Sequence, residues 1–133
     1  MIVVDTSAIF AFLAGEPEAE DMARRMYGEQ ILVCAPTWAE TGIVVSNRLG
    51  LDGLDRLQRL AGALQFDVVA FDCDLSDAVV DAHRRYGRGS GHEANLNFGD
   101  CFAYALAKSR NLPLLFKADD FIHTDIEPAL KPA

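Results

Sequence analysis

Short apolar runs alternate with amphipathic stretches along the whole chain. Ile2 to Val4 form an apolar run that ends at the polar triplet Asp5-Thr6-Ser7, and the segment after it reads as a helix up to Gly15. A second helix is predicted over Pro17 to Tyr27, with Met22, Ala23, Met26 and Tyr27 on one face and acids in its first turn. Ile31 to Ala35 reads as a strand. Pro36 suits the opening turn of a helix that Thr37 to Leu49 continue and that Gly50 stops. Leucines at 51, 54, 57, 60 and 64 then mark one face of a further helix. Phe66 to Phe71 is the third predicted strand, and Leu75, Ala78, Val79 and Ala82 give another helix. Tyr86 to Asn97 is a glycine-rich, partly basic loop. Cys101 to Ala107 is apolar all round and is expected to be buried on most sides, and Leu112 to Phe116 is the fourth strand. Strands that alternate with helices predict an α/β fold: one domain over residues 1–133, with a central parallel sheet of four to five strands and helices on both faces.

Composition narrows the setting. The chain has 133 residues, of which 50% are hydrophobic, enough for one domain with a real core. No apolar run reaches the roughly 18 residues of a membrane span, and the start MIVVDTS carries neither a basic leader nor a cleavage-site pattern, so a cytoplasmic protein without a membrane partner is expected. The cysteines Cys34, Cys73 and Cys101 lie in no zinc-binding spacing and read as buried thiols in a reducing compartment. Twelve Lys and Arg against twenty Asp and Glu give a net charge of −8, which repels nucleic acid in general. Any nucleic acid must therefore be held locally.

In an open α/β sheet, ligands bind beyond the carboxyl ends of the strands, and acids recur there. Asp5 follows the first strand directly, and Asp119 and Asp120 follow the fourth by a few residues. Glu40 lies on the helix after the second strand, where spacing assigns it the apolar face of Ile43 and Val44; an acid on such a face needs a partner. Asp100 opens the buried helix, whose positive end favours an ionised acid. Plainer readings stand beside these: Asp5 and Asp100 as helix caps, and Asp119-Asp120 as a solvated turn. Converging carboxylates repel one another unless hard cations such as magnesium or manganese sit between them. Two such ions can serve the in-line displacement that hydrolyses a phosphodiester.

The opening Ile-Val-Val-Asp-Thr-Ser-Ala, Glu40 in Pro-Thr-Trp-Ala-Glu, the run Leu96 to Ala107, and Leu-Leu-Phe-Lys-Ala-Asp-Asp-Phe together resemble the PIN-domain ribonucleases. More narrowly they resemble VapC, the toxin of type II toxin–antitoxin pairs, over nearly the whole chain and in the right order. The resemblance implies a Mg2+-dependent endoribonuclease (Mn2+ possible) that cuts RNA, often tRNA or another structured RNA, and that a VapB-like antitoxin holds inactive. A homodimer is expected as well. Its catalytic and metal-holding acids would be Asp5, Glu40 and Asp100, with a fourth after the last strand. Ala118 stands where similar proteins carry glycine, in Gly-Asp-Asp-Phe or Gly-Asn-Asp-Phe, so both Asp119 and Asp120 are kept for that fourth place.

Arg84, Arg85 and Arg88 belong to the densest positive stretch of the chain and read as RNA contacts, since the guanidinium fork grips phosphate in two places. For Arg84 and Arg85 the plainer reading is the solvated face of a helix. His83, His92 and His123 show no zinc spacing, and Trp38 is given no catalytic role. Two other functions compete. Asp72-Cys73-Asp74 after the third strand resembles the nucleophile pair of haloacid dehalogenase-type phosphatases, and Asp72 with Asp5 and Lys117 resembles a phospho-receiver. A catalytically silent module that only binds a partner is the third possibility, against which the full set of acids speaks.

Overall fold

Side chains along the strands alternate between two cores, and this divides the molecule into layers. In the computed structural model, which describes residues 1–131, the strands are β1 (Ile2–Val4), β2 (Ile31–Cys34), β3 (Asp67–Val69) and β4 (Leu114–Leu115). Residues 132–133, the end of the predicted domain, lie outside the described residues. Ile2, Val4, Ile31, Val33 and Leu115 face one core, whereas Val3, Leu32, Cys34 and Leu114 face the other. Burial on both faces explains why these strands read as continuous apolar runs.

The first core is closed by α1 (Thr6–Leu13), α2 (Ala19–Met26) and α3 (Ala35–Ala63), through Ile9, Leu13, Met22, Met26, Val45 and Leu57. The second is closed by α4 (Cys73–Tyr86) and α5 (Phe98–Arg110), through Leu75, Val79, Ala82, Cys101, Tyr104 and Leu106. The sheet has four strands in the order β3-β2-β1-β4, every pair parallel, so the expected α/β architecture is present. The chain builds outward from β1 through β2 to β3 and then returns to the other side of β1 with β4. That reversal opens a crevice beyond the carboxyl ends of β1 and β4.

Several predicted boundaries move. The helices on either side of Gly50 form one element broken at that residue, whose φ of 70° and ψ of −164° are not helical. Leu51 is 83% exposed, so it leaves the leucine face on which Leu57 is buried and Leu54, Leu60 and Leu64 are half-buried. β3 is shorter than Phe66 to Phe71, because it is an edge strand with exposed Asp67 and Val68. The helix predicted from Cys101 begins earlier, at Phe98, because Asn97 caps it. Cys34 and Cys101 are buried as expected, but Cys73 is exposed in the first turn of α4. No helix among the described residues is long and apolar enough to cross a membrane.

Candidate active site

Asp5 sits where β1 ends and caps α1, the plainer of its two sequence readings. Its Oδ2 accepts hydrogen bonds from the Ser7 backbone N–H at 3.1 Å and from the Ser7 hydroxyl at 2.7 Å. A cap uses one oxygen only. Asp5 is 3% exposed, and its Oδ1 is buried without a hydrogen-bond partner. Burial pushes the Asp5 carboxyl up to about 7; the bonds from Ser7 oppose that rise, and the Asp100 and Glu40 charges add to it.

Asp100 likewise combines a cap with a crowded acid. Asn97 Oδ1 accepts from the Asp100 N–H at 2.8 Å, while Asp100 Oδ2 accepts from the Asn97 N–H at 3.0 Å, a reciprocal capping box. Burial pushes Asp100 up to about 6, the Asn97 bond draws it down, Asp120 and Glu40 raise it, and Arg88 lowers it. Asp120 is also raised, first by desolvation and then by the charge of Asp119, with Lys117 pulling the other way. Asp100, Asp119, Asp120, Arg88 and His123 line one cavity of about 390 Å³. Asp119 borders a second cavity as well, beside Glu18 and Asp21.

Glu40 lines a cavity with Ile43 and Val44, the neighbours its spacing gives it, but that face of the helix is open rather than core. Ile43 is 62% exposed, and the core face of α3 carries Thr37, Thr41 and Val45 instead. The carboxyl is half-buried, its Oε1 accepts a hydrogen bond from the Thr6 hydroxyl at 2.7 Å, and its Oε2 lies against Gly99. The sequence shows Thr6 and Ser7 only as part of the polar triplet after β1, and Asn97 and Gly99 only within the run Leu96 to Ala107, none of them with a role in the site. The local signals for these roles are Ser7 two residues after Asp5 and Asn97 three residues before Asp100, the spacing of a capping box.

The structure brings Asp5, Glu40, Asp100 and Asp120 to one end of the sheet, where each of Asp5 and Asp100 feels two other acids. Among the described residues, no three His, Cys, Asp or Glu side chains close around a single point. The arginines divide. Arg88 reaches the acid-lined cavity, at the base of a loop pinned by hydrogen bonds from Arg88 N–H to Leu96 O and from Leu96 N–H to Tyr86 O, both 2.9 Å. Arg84 pairs with Asp81 at 2.7 Å on the exposed side of α4. Arg85 lies over the Tyr86 ring and 3.8 Å from Asp125. Asp72 caps α4 by accepting from the Leu75 N–H at 2.9 Å and lines a separate cavity with Asp74 and Arg110, while Lys117 pairs with Glu16 at 3.1 Å.

Comparison with known proteins places the chain in a family. Residues 2–127 match the PIN domain family. The chain is 42% identical over 132 residues to Ribonuclease VapC30 of Mycobacterium tuberculosis, covering 98% of this chain and 100% of that one. Among solved structures, Mycobacterium tuberculosis VapC20, a Sarcin-Ricin loop cleaving toxin, superposes with a TM-score of 0.78 at 17% identity, covering 99% and 100% of the two chains. A toxin-antitoxin complex from Klebsiella pneumoniae superposes with a TM-score of 0.70 at 19% identity over 99% and 100%. The chain belongs to the PIN domain family, and within it to the VapC ribonucleases. The competing phosphotransfer readings of Asp72 and the silent binding module fall away with that assignment.

Proposed function

We propose that this VapC ribonuclease hydrolyses RNA phosphodiester bonds with magnesium, or manganese, held by Asp5, Glu40, Asp100 and Asp120. The observation that carries this reading is Asp5 Oδ1, a buried carboxylate oxygen without a hydrogen-bond partner beside two other acids. A helix cap has no use for that atom, and a hard cation does. The donor set contains only carboxylate oxygens, as Mg2+ prefers. Mg2+ also keeps several of its waters, so an open set of acids suits it better than a closed cage. When bound, the metal supplies activated water and charge neutralisation for in-line displacement at phosphorus. The protein's own part is to hold four acids against their mutual repulsion: Ser7 fixes Asp5, Asn97 fixes Asp100, and Thr6 fixes Glu40. Asp120 is taken as the fourth acid because its charge bears on Asp100, and Asp119 stands as its neighbour at the rim. Arg88 would meet the substrate phosphate at the same cavity; Arg84 and Arg85 would add to RNA binding only by leaving their ion pairs. Incubation with total RNA with magnesium, and again with EDTA, tests the reading. New RNA ends with magnesium alone are expected, and undiminished cleavage after thorough chelation would overturn it.

The partners follow from the same chemistry. A VapB-like antitoxin with a basic segment suits a chain of net charge −8 with an acid-lined cavity, and the Klebsiella relative of this fold is itself a toxin-antitoxin complex. A homodimer is favoured by the exposed apolar side chains Ile43 and Phe98, 62% and 69% exposed, which border a cavity of about 370 Å³ next to Glu40. Co-expression with the neighbouring reading frame, followed by light scattering of the purified material, checks both.

A further inference from the structure

We propose that Thr6 and Gly99 form a slot that fixes the Glu40 carboxylate between α1 and α5, making both of them positioning residues for the reaction. The proposal rests on Glu40 acting as proposed above.

Thr6 has one hydroxyl hydrogen and three oxygen neighbours: Glu40 Oε1 at 2.7 Å, Thr41 Oγ1 at 2.9 Å and Thr37 O at 3.4 Å. An ionised carboxylate only accepts, so the hydrogen goes to Glu40. The Thr41 hydroxyl, 2.8 Å from Thr37 O, then supplies the hydrogen that Thr6 Oγ1 accepts, shared with that carbonyl. Thr6 is thus the donor to Glu40, with the Thr41 hydroxyl and the Thr37 carbonyl packed behind it. Thr41 is fully buried and Thr6 is 8% exposed, so water does not readily replace either donor.

Gly99 forms the opposite wall. A Cβ at this position would overlap Glu40 Oε2, so any side chain there would push the acid aside. Thr6 directly follows Asp5, and Gly99 directly precedes Asp100. A carboxylate gripped by these two residues is held in register with Asp5 and Asp100 at once. A satisfied core threonine would need none of this, since the Thr37 carbonyl is within reach.

Outer-shell partners of metal ligands change metal affinity or activity by about 10- to 100-fold when removed. Thr6→Val keeps the shape and removes the hydroxyl. It is expected to raise the half-saturating Mn2+ concentration, read by electron paramagnetic resonance, and to lower RNA cleavage by about that factor, with Thr6→Ser restoring most of both. Gly99→Ala separates the slot from the metal reading, because melting of the metal-free protein reports on it alone. In the parent chain it should lower Tm through the clash; in a Glu40→Ala background the same change should hold or raise Tm, since alanine suits a helix better than glycine. A Thr6→Val protein that binds Mn2+ and cleaves like the parent overturns the proposal. So does a Gly99→Ala shift in Tm that is the same with and without Glu40. If no variant, nor the parent, binds Mn2+ while the Gly99 shift reverses sign as expected, the slot stands and the metal assignment fails.

Discussion

Lys117 donates its backbone N–H to the Ser7 hydroxyl at 3.1 Å, and that hydroxyl donates in turn to Asp5 Oδ2 at 2.7 Å. One side chain thus ties the segment after β4 to the acid at the end of β1, across the reversal of the sheet. Ser7→Ala should release both. The part-buried N–H and carboxylate lose partners, which costs about 1–3 kcal/mol. The hydroxyl bond also lowers the Asp5 carboxyl, so without it the value rises further above about 7. The acidic limb of the rate profile for RNA cleavage should move to higher pH. A limb that stays in place, with Tm unchanged, would show that Ser7 does not bear on Asp5.

Asp5 and Asp100 lie at about 7 and about 6 in the metal-free fold, above their ordinary 3.8. Between the ordinary and the raised values the folded chain holds more protons than the unfolded one, so stability falls as pH rises. The contribution of these two acids is complete below about pH 4 and lost as pH climbs through 6 and 7. Urea melts of EDTA-treated protein should therefore give lower stability at pH 8 than at pH 5.5, and saturating magnesium should narrow the gap. Asp5→Asn should flatten part of that slope and leave the share of Asp100, and a slope as steep as the parent's would show that Asp5 does not contribute.

The three-layer fold was legible because both faces of the sheet are buried, so Ile2 to Val4 and Ile31 to Cys34 stand out as apolar runs between helical patterns. β3 blurred because an edge strand with exposed Asp67 and Val68 lacks that contrast. Asp5 and Asp100 could be found because element ends are marked locally. Spacing put Glu40 beside Ile43 and Val44, with which it lines a cavity, but that face is open rather than core, and its hydrogen-bond partner Thr6 lies 34 residues away on a helix whose packing no local pattern encodes. Density of positive charge grouped Arg84 and Arg85 with Arg88. Asp81, one turn earlier on α4, pairs with Arg84, a neighbour relation that helical spacing carries but a count of charges does not.

Replacing the arginines one at a time should therefore give unequal results. Arg88→Ala is expected to weaken RNA binding and to reduce the slope of log affinity against log salt by about 1, as one lost phosphate contact does. Arg84→Ala should change the slope little, since its guanidinium is paired with Asp81. Arg85→Ala should act on Tm, because the side chain covers Tyr86 and approaches Asp125. Equal slope changes for Arg84 and Arg88, measured by fluorescence anisotropy on one labelled RNA, would restore the three as a single phosphate rim.

Ala118 has a φ of 60°, the left-handed region in which an L side chain costs roughly 1–2 kcal/mol. Glycine takes that conformation at no steric cost. Ala118→Gly relieves the strain but frees the unfolded chain by about 0.4–1 kcal/mol. The balance predicts a Tm that holds or rises slightly. A clear drop in Tm would mean that the turn does not need the left-handed conformation.

The acids that double as helix caps allow the proposed metal site to be separated from capping in one residue. In Asp5→Asn the amide oxygen can take the place of Oδ2 and keep both bonds from Ser7, so the start of α1 should survive. The amide nitrogen then occupies the place of Oδ1, the buried atom without a partner, and turns a repulsive oxygen near Glu40 and Asp100 into a donor. The metal-free Tm should rise. Magnesium should stabilise the parent by RT ln(1 + [L]/Kd), about 2.7 kcal/mol at a hundredfold excess over Kd, because it binds only the folded state. Asp5→Asn should lose most of that gain together with RNA cleavage. Asp120→Asn should follow it more closely than Asp119→Asn, since Asp120 is the one whose charge bears on Asp100. An Asp5→Asn protein that melts higher yet keeps its magnesium shift and its cleavage would leave Asp5 as a cap alone.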